Sequence, residues 1–207
     1  FGGLGQNFMN PALGARCFLA LSFAGNMTAF YPSDVKGVDA ATSATPLTAL
    51  KNLGESSSSL LDMFIGNHAG TIGETSVIAL LIGALYLTVR KIIDLRIPLT
   101  YIVVFGICIM LFNKSTDINF LAMQLCGGGL IFGAFFMATD YATSPITKSG
   151  RYIFGICLGL LTAIFRTFGN TAEGVSFAII FCNLLVPLIE KWSIPKAFGI
   201  VKAKGGK

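Results

Sequence analysis

The chain has 207 residues, of which 54% are hydrophobic and only 12% are charged, and its mean hydropathy is +0.73. Soluble domains carry about 25% charged residues, so this composition all but excludes a soluble enzyme. The net charge of +5 does not require a nucleic-acid partner, because basic residues that flank membrane spans account for it.

The apolar residues come in blocks rather than at the 3.6-residue period of an amphipathic helix, which predicts an all-α, polytopic bundle of membrane helices. We expect about six spans, at residues 11–30, 75–89, 98–112, 120–138, 152–168 and 175–189. The chain opens at Phe1 without the pattern of a signal peptide, so we interpret it as the later part of a longer polypeptide. The expected regions are a first span with an Asn-rich entry (1–30), a polar loop (31–74), five further spans (75–190) and a basic tail (191–207).

Two asparagines, Asn7 and Asn10, stand three residues apart at the entry to the first span. Asn10 directly precedes Pro11, and Asn before Pro is a typical start of a helix. The pair therefore admits two interpretations, a helix cap and a polar site at membrane depth.

The polar loop contains a short helix signal at its centre. Thr45 precedes Pro46, an apolar-patterned run follows to Leu53, and Gly54 closes it. Thr at the cap, Pro at the first position and Gly past the end predict a helix over 46–53. Because the first-turn N–H groups have no partner inside a helix, a phosphate on Thr45 would be stabilised there. An ordinary capped helix explains the same pattern.

The fourth predicted span is rich in glycine and ends at an ionisable residue. Gly129-x-x-x-Gly133, like Gly155-x-x-x-Gly159 in the fifth span, favours close helix packing, although a cofactor lying on the flat surface is an alternative. Asp140 follows the fourth span, where a carboxylate is costly unless it is paired or hydrated. It is a candidate for ion coupling, or else a helix-end residue that pairs with Lys148 or Arg151.

Alternation of the spans places 11 of the 15 basic residues on one side, which is then expected to be cytoplasmic. This side holds Arg16, Arg90, Lys91, Arg96, Lys148, Arg151, Lys191, Lys196, Lys202, Lys204 and Lys207. The other side holds Lys36, Lys51, Lys114 and Arg166, together with the Thr45 loop and Glu74. We therefore expect a multi-pass membrane protein with the loop outside and the C-terminus in the cytoplasm.

The sequence does not indicate a metal site. The five cysteines all fall in apolar spans and no two have ligand spacing, so we interpret them as small apolar residues. His68, the only histidine, lies in the outer loop and is interpreted as a solvated side chain.

Four motifs in order resemble the landmarks of one family. They are Asn7-Phe8-Met9-Asn10-Pro11-Ala12, the run from Asp39 to Leu47 with Thr42-Ser43-Ala44-Thr45, Gly73-Glu74-Thr75-Ser76, and Ala134 to Asp140 with Thr143-Ser144-Pro145. The family contains the D subunit of the Rnf ferredoxin:NAD oxidoreductase and the B subunit of the sodium-pumping NADH:quinone oxidoreductase. The Pro46-Leu47 continuation and the compact chain favour the D-type subunit.

The resemblance implies FMN joined through its phosphate to Thr45, with Thr42, Ser43 and Ala44 forming the attachment motif. Ser43 stands where the family usually has Gly. The resemblance also implies riboflavin within the membrane, held by Asn7 and Asn10.

The implied role is an electron relay between ferredoxin and NAD, in a complex of a bacterial or archaeal plasma membrane that moves Na⁺ or H⁺. The implied partners are a second flavin-carrying subunit, iron–sulfur subunits, a flavin transferase for maturation and the lipid bilayer. A B-type subunit of the quinone-reducing complex, or a permease without redox chemistry, is the alternative. A purified chain that stays yellow after denaturation would exclude the permease.

Overall fold

A computed structural model of the protein describes residues 7–27, 46–53, 59–68, 70–71, 73–114, 116–169 and 174–195. Within these ranges the regular elements are helical, and the predicted all-α membrane fold is confirmed. In chain order they are α1 (Pro11–Ser22), α2 (Ala24–Met27), α3 (Pro46–Leu53), α4 (Leu60–Ile65), α5 (Val77–Val89), α6 (Arg96–Asn113), α7 (Ile118–Cys126), α8 (Leu130–Phe132), a π-helical turn (Gly133–Met137) that continues α8, α9 (Lys148–Phe168) and α10 (Val175–Ser193).

Three of the predicted spans are helices that are long and apolar enough to cross a membrane, namely α6, α9 and α10. The fourth predicted span is not one helix, because α7 and the segment Leu130–Met137 meet at an angle of 65°. The first two predicted spans contain the shorter apolar helices α1 and α5, of 12 and 13 residues. The described part of the chain therefore holds up to four full spans and two shorter apolar helices.

The most extensive helix contact joins α6 and α9, and α10 packs on α9. Glycines of α9 make the approach possible: a Cβ on Gly159 would lie 2.8 Å from the backbone nitrogen of Phe105 in α6. Beside this contact, the Tyr101 hydroxyl and the Thr162 hydroxyl share a buried hydrogen bond of 2.6 Å. The Gly155-x-x-x-Gly159 pattern therefore serves the close packing of α9 against α6.

The bend in the fourth predicted span follows from Gly127-Gly128-Gly129. Gly128 has a φ of 66°, a left-handed conformation that glycine adopts without strain. Gly127 is extended, so the helical hydrogen bonding of α7 ends there and restarts at α8. We call residues 127–129 the elbow. The prediction of a continuous helix over 120–138 is wrong because it treated these glycines as helical.

Side-chain hydrogen bonds and an ion pair hold several chain segments together at one end of the bundle. The carboxylate of Asp94, between α5 and α6, accepts from Arg151 near the start of α9 at 2.6 Å. Ser193 at the end of α10 bonds Thr147, which caps α9.

At the opposite end of the bundle, Lys51 of α3 donates to the carbonyl of Gly169, just after α9. The α3 helix therefore lies on the side away from Asp94, as the alternation of spans predicts.

Candidate functional site

Helix α3 begins at Pro46 and ends at Leu53, as the capping pattern predicts. Thr42, Ser43, Ala44 and Thr45 lie outside the described residues, so the attachment motif itself stays a prediction. What the structure describes is the helix that follows directly after Thr45.

One face of α3 is buried against the elbow. Leu47 and Leu50 are buried, and Leu47 Cδ1 would lie 3.4 Å from a Cβ built on Gly127. Lys51, one turn after Leu47, is half-buried, and this burial lowers the pKa of its ammonium group. The short helix is therefore docked on the bundle through the residues next to Thr45.

A small cavity of about 120 Å³ lies between α3 and the bundle. Its polar lining comes from Lys51, Asn113, Gln124, Arg166 and Thr167.

Arg166 is a site residue that reading the sequence missed, because alternation of spans assigned it to the outer surface. It is only 4% exposed, and its guanidinium donates to the carbonyls of Gln124 and Gly127. The group also lies over the ring of Phe105, 5.1 Å from the ring centre. A charged residue inside the last turn of a predicted span was the signal that could have singled it out.

Asn10 and Asp140, 130 residues apart in the chain, come together. The Asn10 side-chain amide donates to Asp140 Oδ2 at 3.4 Å, and its oxygen accepts from the N–H groups of Ala12 and Leu13. Asn10 is therefore the predicted cap of α1. Asn7 is exposed.

Asp140 is half-buried and is held by its own turn, where it accepts from the N–H of Ala142 and the hydroxyl of Thr143. The predicted pairing of Asp140 with Arg151 is wrong, because Arg151 bonds Asp94 and the carbonyl of Pro145. The reason is the course of the chain: α9 starts beside the α5–α6 turn.

An ion pair with a buried carboxylate joins α1 to the segment that precedes α5. Arg16 of α1 lies 2.6 Å from Glu74, which is only 6% exposed. The two residues were predicted on opposite sides of the membrane, and their contact contradicts that separation. Since α1 is short and its second turn faces the bundle, Arg16 reaches inward to a carboxylate that would otherwise be buried alone.

The carboxylate of this ion pair also contacts the elbow. A Cβ on Gly129 would lie 2.8 Å from Glu74 Oε1. The other glycine of that motif, Gly133, faces Val175 of α10, where a Cβ would overlap Val175 Cγ1. Both glycines thus permit close packing.

A larger cavity of about 460 Å³ is bounded by α1, the Thr71–Glu74 segment and the α8 region. Its lining includes Asn10, Arg16, Thr71, Glu74, Phe132 and Phe136. The rings of Phe132 and Phe136 are stacked, 5.4 Å apart. The hydroxyl of Thr71 is buried and has no hydrogen-bond partner among the described residues. The volume lies within the roughly 300–1,000 Å³ of small-molecule sites.

The five cysteines are free thiols, buried at Cys17 and Cys182 and half-buried elsewhere. In the part of the chain that the structure describes, no three His, Cys, Asp or Glu side chains are grouped as metal ligands.

The sequence matches known proteins along nearly its whole length. The model of the NQR2, RnfD, RnfE family matches residues 1–199. The chain is 45% identical over 210 residues to the D subunit of the Na(+)-translocating ferredoxin:NAD(+) oxidoreductase complex of Acetobacterium woodii, covering 99% of this chain and 63% of the relative.

Two further relatives show the breadth of the similarity. The D subunit of the proton-translocating ferredoxin:NAD(+) oxidoreductase complex of Clostridium ljungdahlii is 42% identical, over 96% of this chain and 63% of its own length. The B subunit of the Na(+)-translocating NADH-quinone reductase of Ectopseudomonas mendocina is 34% identical, over 94% and 51%. The chain thus spans less than two thirds of the length of these relatives. With a family match over nearly all of its residues and an all-helical membrane fold, the chain belongs to the NQR2, RnfD, RnfE family.

Proposed function

We propose that this chain is the D-type membrane subunit of an ion-translocating ferredoxin:NAD oxidoreductase and that it carries FMN esterified to Thr45. The similarity to two D subunits of such complexes supports the first part. The observation that carries the second is that α3 begins at Pro46 and is docked on the bundle by Leu47.

The local physics at Thr45 favours a phosphate. The N–H groups of the first turn of a helix have no partner within the helix, and the helix dipole adds positive potential at that end. The flavin supplies one- and two-electron chemistry when bound. The chain's part is to hold it: the buried Leu47 and Leu50 fix α3, and so limit how far Thr45 can move relative to the elbow.

The larger cavity suits a second, dissociable flavin, which we assign to riboflavin. A flat heteroaromatic ring system needs an apolar surface and a few polar contacts. Phe132 and Phe136 offer the aromatic surface, and the unsatisfied Thr71 hydroxyl offers a hydrogen bond. Asn10 lines the cavity, whereas Asn7 is not part of the lining.

Replacing Thr45 tests the attachment. We expect Thr45→Ala to abolish covalent flavin, measured as in-gel fluorescence after denaturation and by mass mapping of the modified peptide. Thr45→Ser keeps a hydroxyl and should retain some flavin, whereas Thr45→Val keeps the shape and should retain none. Loss of a cap costs about 0.5–2 kcal/mol, so the variants should still insert.

The hydroxyls of Thr42 and Ser43 remain in Thr45→Ala and serve as the internal control. Neither should carry flavin in place of Thr45. Fluorescence that survives in Thr45→Ala, or a modified peptide mapped to Thr42, would overturn the attachment site.

The rest of the assembly is part of the same proposal. The chain would work with a second flavin-carrying subunit and iron–sulfur subunits, after a flavin transferase has modified Thr45 outside the cytoplasm. Asp140 remains our candidate for the group that couples electron transfer to ion movement, because it lies half-buried at the end of the broken span.

A B-type subunit of a sodium-pumping NADH:quinone reductase is the second candidate, which the 34% identity to such a subunit favours. Electron acceptors separate the two. Membranes that contain the complex should reduce NAD with ferredoxin as donor under the first proposal, and should reduce quinone with NADH under the second.

A further inference from the structure

The burial of Arg166 calls for an explanation, because a cationic side chain within a span is costly and is usually kept for a function. Arg166 belongs to the last turn of α9. Its two terminal nitrogens donate to main-chain carbonyls of Gln124 and Gly127, and its second contact with Gln124 is to the side-chain oxygen at 3.4 Å.

These carbonyls stand at the C-terminal end of α7, where the span breaks. The last carbonyls of a helix have no partner within the helix and carry the negative end of its dipole. In transporters with broken helices, such half-helix ends bind the coupling cation. Here a guanidinium of the protein occupies that position.

The elbow is packed at both of its ends. Gly127 lies close to Leu47 of α3 and to Met63, whose Cε would be 3.2 Å from a Cβ on Gly127. Gly129 lies against the Glu74 carboxylate, which is paired with Arg16. Arg166 therefore ties the end of α7 to α9 at the point where α3 meets the bundle.

We propose that Arg166 is a positioning residue that acts as a resident cation: it fixes the elbow and closes the end of α7 to mobile cations. Ions that the complex moves would be repelled from this half-helix end and would have to pass elsewhere. The proposal rests on the proposed function, in that the complex translocates ions.

The test uses the full complex, purified and reconstituted in liposomes. Passive entry of radioactive sodium, and of protons with a pH-sensitive dye, is measured under a diffusion potential without any electron donor. We expect Arg166→Gln to raise passive entry several-fold over the unmodified complex. Arg166→Lys keeps the charge and should remain as tight as the unmodified complex at neutral pH.

A structural role alone would not predict how the lysine variant responds to pH. A buried lysine releases its proton far more readily than arginine does. The leak through Arg166→Lys should therefore rise as the pH is raised into the alkaline range, while that of the unmodified complex stays constant. This measurement needs only the conservative variant, so it stands even if Arg166→Gln does not assemble.

Lys51→Gln is the matched control, since Lys51 is a cation that lines the same small cavity and donates to the carbonyl of Gly169. It should not leak. An assembled Arg166→Gln complex that is no leakier than the unmodified one, or a lysine variant whose leak does not change with pH, would overturn the proposal. Covalent flavin is measured on the same samples: its absence from the unmodified complex would defeat the proposed function, and the donor-free leak would still be readable.

Discussion

Asn10 has two structural tasks at the start of α1. Its oxygen caps the helix and its amide nitrogen reaches Asp140. A side chain that links the first helix to the end of the broken span can orient both. Any ligand in the adjacent cavity would meet an amide that is already held in place.

Substitutions at Asn10 should separate these tasks. Asn10→Ala removes both and should lower the free energy of unfolding by about 0.5–2 kcal/mol from the cap alone. Asn10→Ser restores a capping oxygen and should recover most of that loss. Thermal unfolding in detergent measures it. Equal losses in the two variants would mean that the contact with Asp140, rather than the cap, determines the stability.

The dissociable flavin gives a second prediction at single residues. Changing both Asn7 and Asn10 to Leu should release it, and Thr71→Val should do so without affecting the cap of α1. Each lost hydrogen bond to a buried partner costs about 1–3 kcal/mol. Riboflavin extracted from the folded protein is the readout, and covalent flavin on Thr45 is the internal control.

The matched control for the asparagine pair is Asn7→Leu alone, which should have little effect because Asn7 does not line the cavity. Extractable riboflavin that is unchanged in both the double asparagine variant and Thr71→Val would rule out this cavity as the second flavin site.

Asp94 provides a pH-dependent contact between the α5–α6 turn and α9. Burial tends to raise the pKa of its carboxyl, but hydrogen bonds and charge from Arg96 and Arg151 outweigh burial and hold the pKa below its ordinary value. A depressed pKa in the folded state means that the stabilisation is complete above the unfolded pKa, about 4. It is lost as the pH falls through the folded value.

Asp94→Asn should therefore be less stable than the unmodified protein near neutral pH, by on the order of 1 kcal/mol. The difference should shrink as the pH falls below about 4. Unfolding temperatures of the two proteins between neutral and acid pH test this. A difference that stays constant down to acid pH would show that the charge of Asp94 is not what stabilises the contact.

Among the helices, the α6–α9 pair is the rigid part of the bundle and the elbow is its irregular part. Gly155 and Gly159 bring the two backbones together, and a Cβ on Gly155 would lie 2.9 Å from Thr100 Cβ. Between them, α6 and α9 supply Phe105 and Arg166, which hold the elbow. The rigid pair therefore supports the irregular segment.

Alanine in place of these glycines should show which contacts are tight. At Gly159 the added Cβ would also meet Val104 Cβ at 2.8 Å and the Tyr101 carbonyl at 2.9 Å, so the helices must separate. We expect a loss of about 1–3 kcal/mol, as for overpacking. Gly106→Ala is the control on α6, since its nearest neighbour, Leu121 Cδ1, is at an ordinary 3.5 Å. Similar unfolding temperatures for the two variants would argue against close packing at Gly159.

The positions of the helix ends show which parts of the chain lie at opposite ends of the bundle. The ends near Asp94, Thr147 and Ser193 are bonded to one another, and α3 lies at the opposite end. Whichever side is cytoplasmic, α3 and the basic segment before α6 are on different sides. The excess of basic residues predicts that the Asp94 side is the cytoplasmic one.

Cysteine labelling of intact cells tests this orientation. A cysteine at Asp39 or at Lys114 should react with an impermeant maleimide, whereas one at Lys191 or Lys204 should react only after the cells are opened. The unmodified chain measures the background from its own thiols. Labelling of Lys191→Cys and Lys204→Cys in intact cells, without labelling at Asp39, would invert the orientation.

Several helices could be predicted from the order of residues alone, because their signals are local. The cap–Pro–Gly pattern is a property of neighbouring residues, and it predicted the bounds of α3, Pro46–Leu53. Asn10 before Pro11 likewise predicted the start of α1. Blocks of apolar residues predicted α6, α9 and α10, because length and hydropathy alone decide whether a helix can span a bilayer.

The roles of the charged and glycine-rich segments emerged only from the packing of the helices. Gly127-Gly128-Gly129 permits the bend, and Arg166, 39 residues away from Gly127, satisfies the carbonyls that the break exposes. The pairing of Arg16 with Glu74 depends in the same way on contacts far apart in sequence. A buried charge takes whichever partner the packed helices bring within reach, and no spacing along the chain encodes that distance.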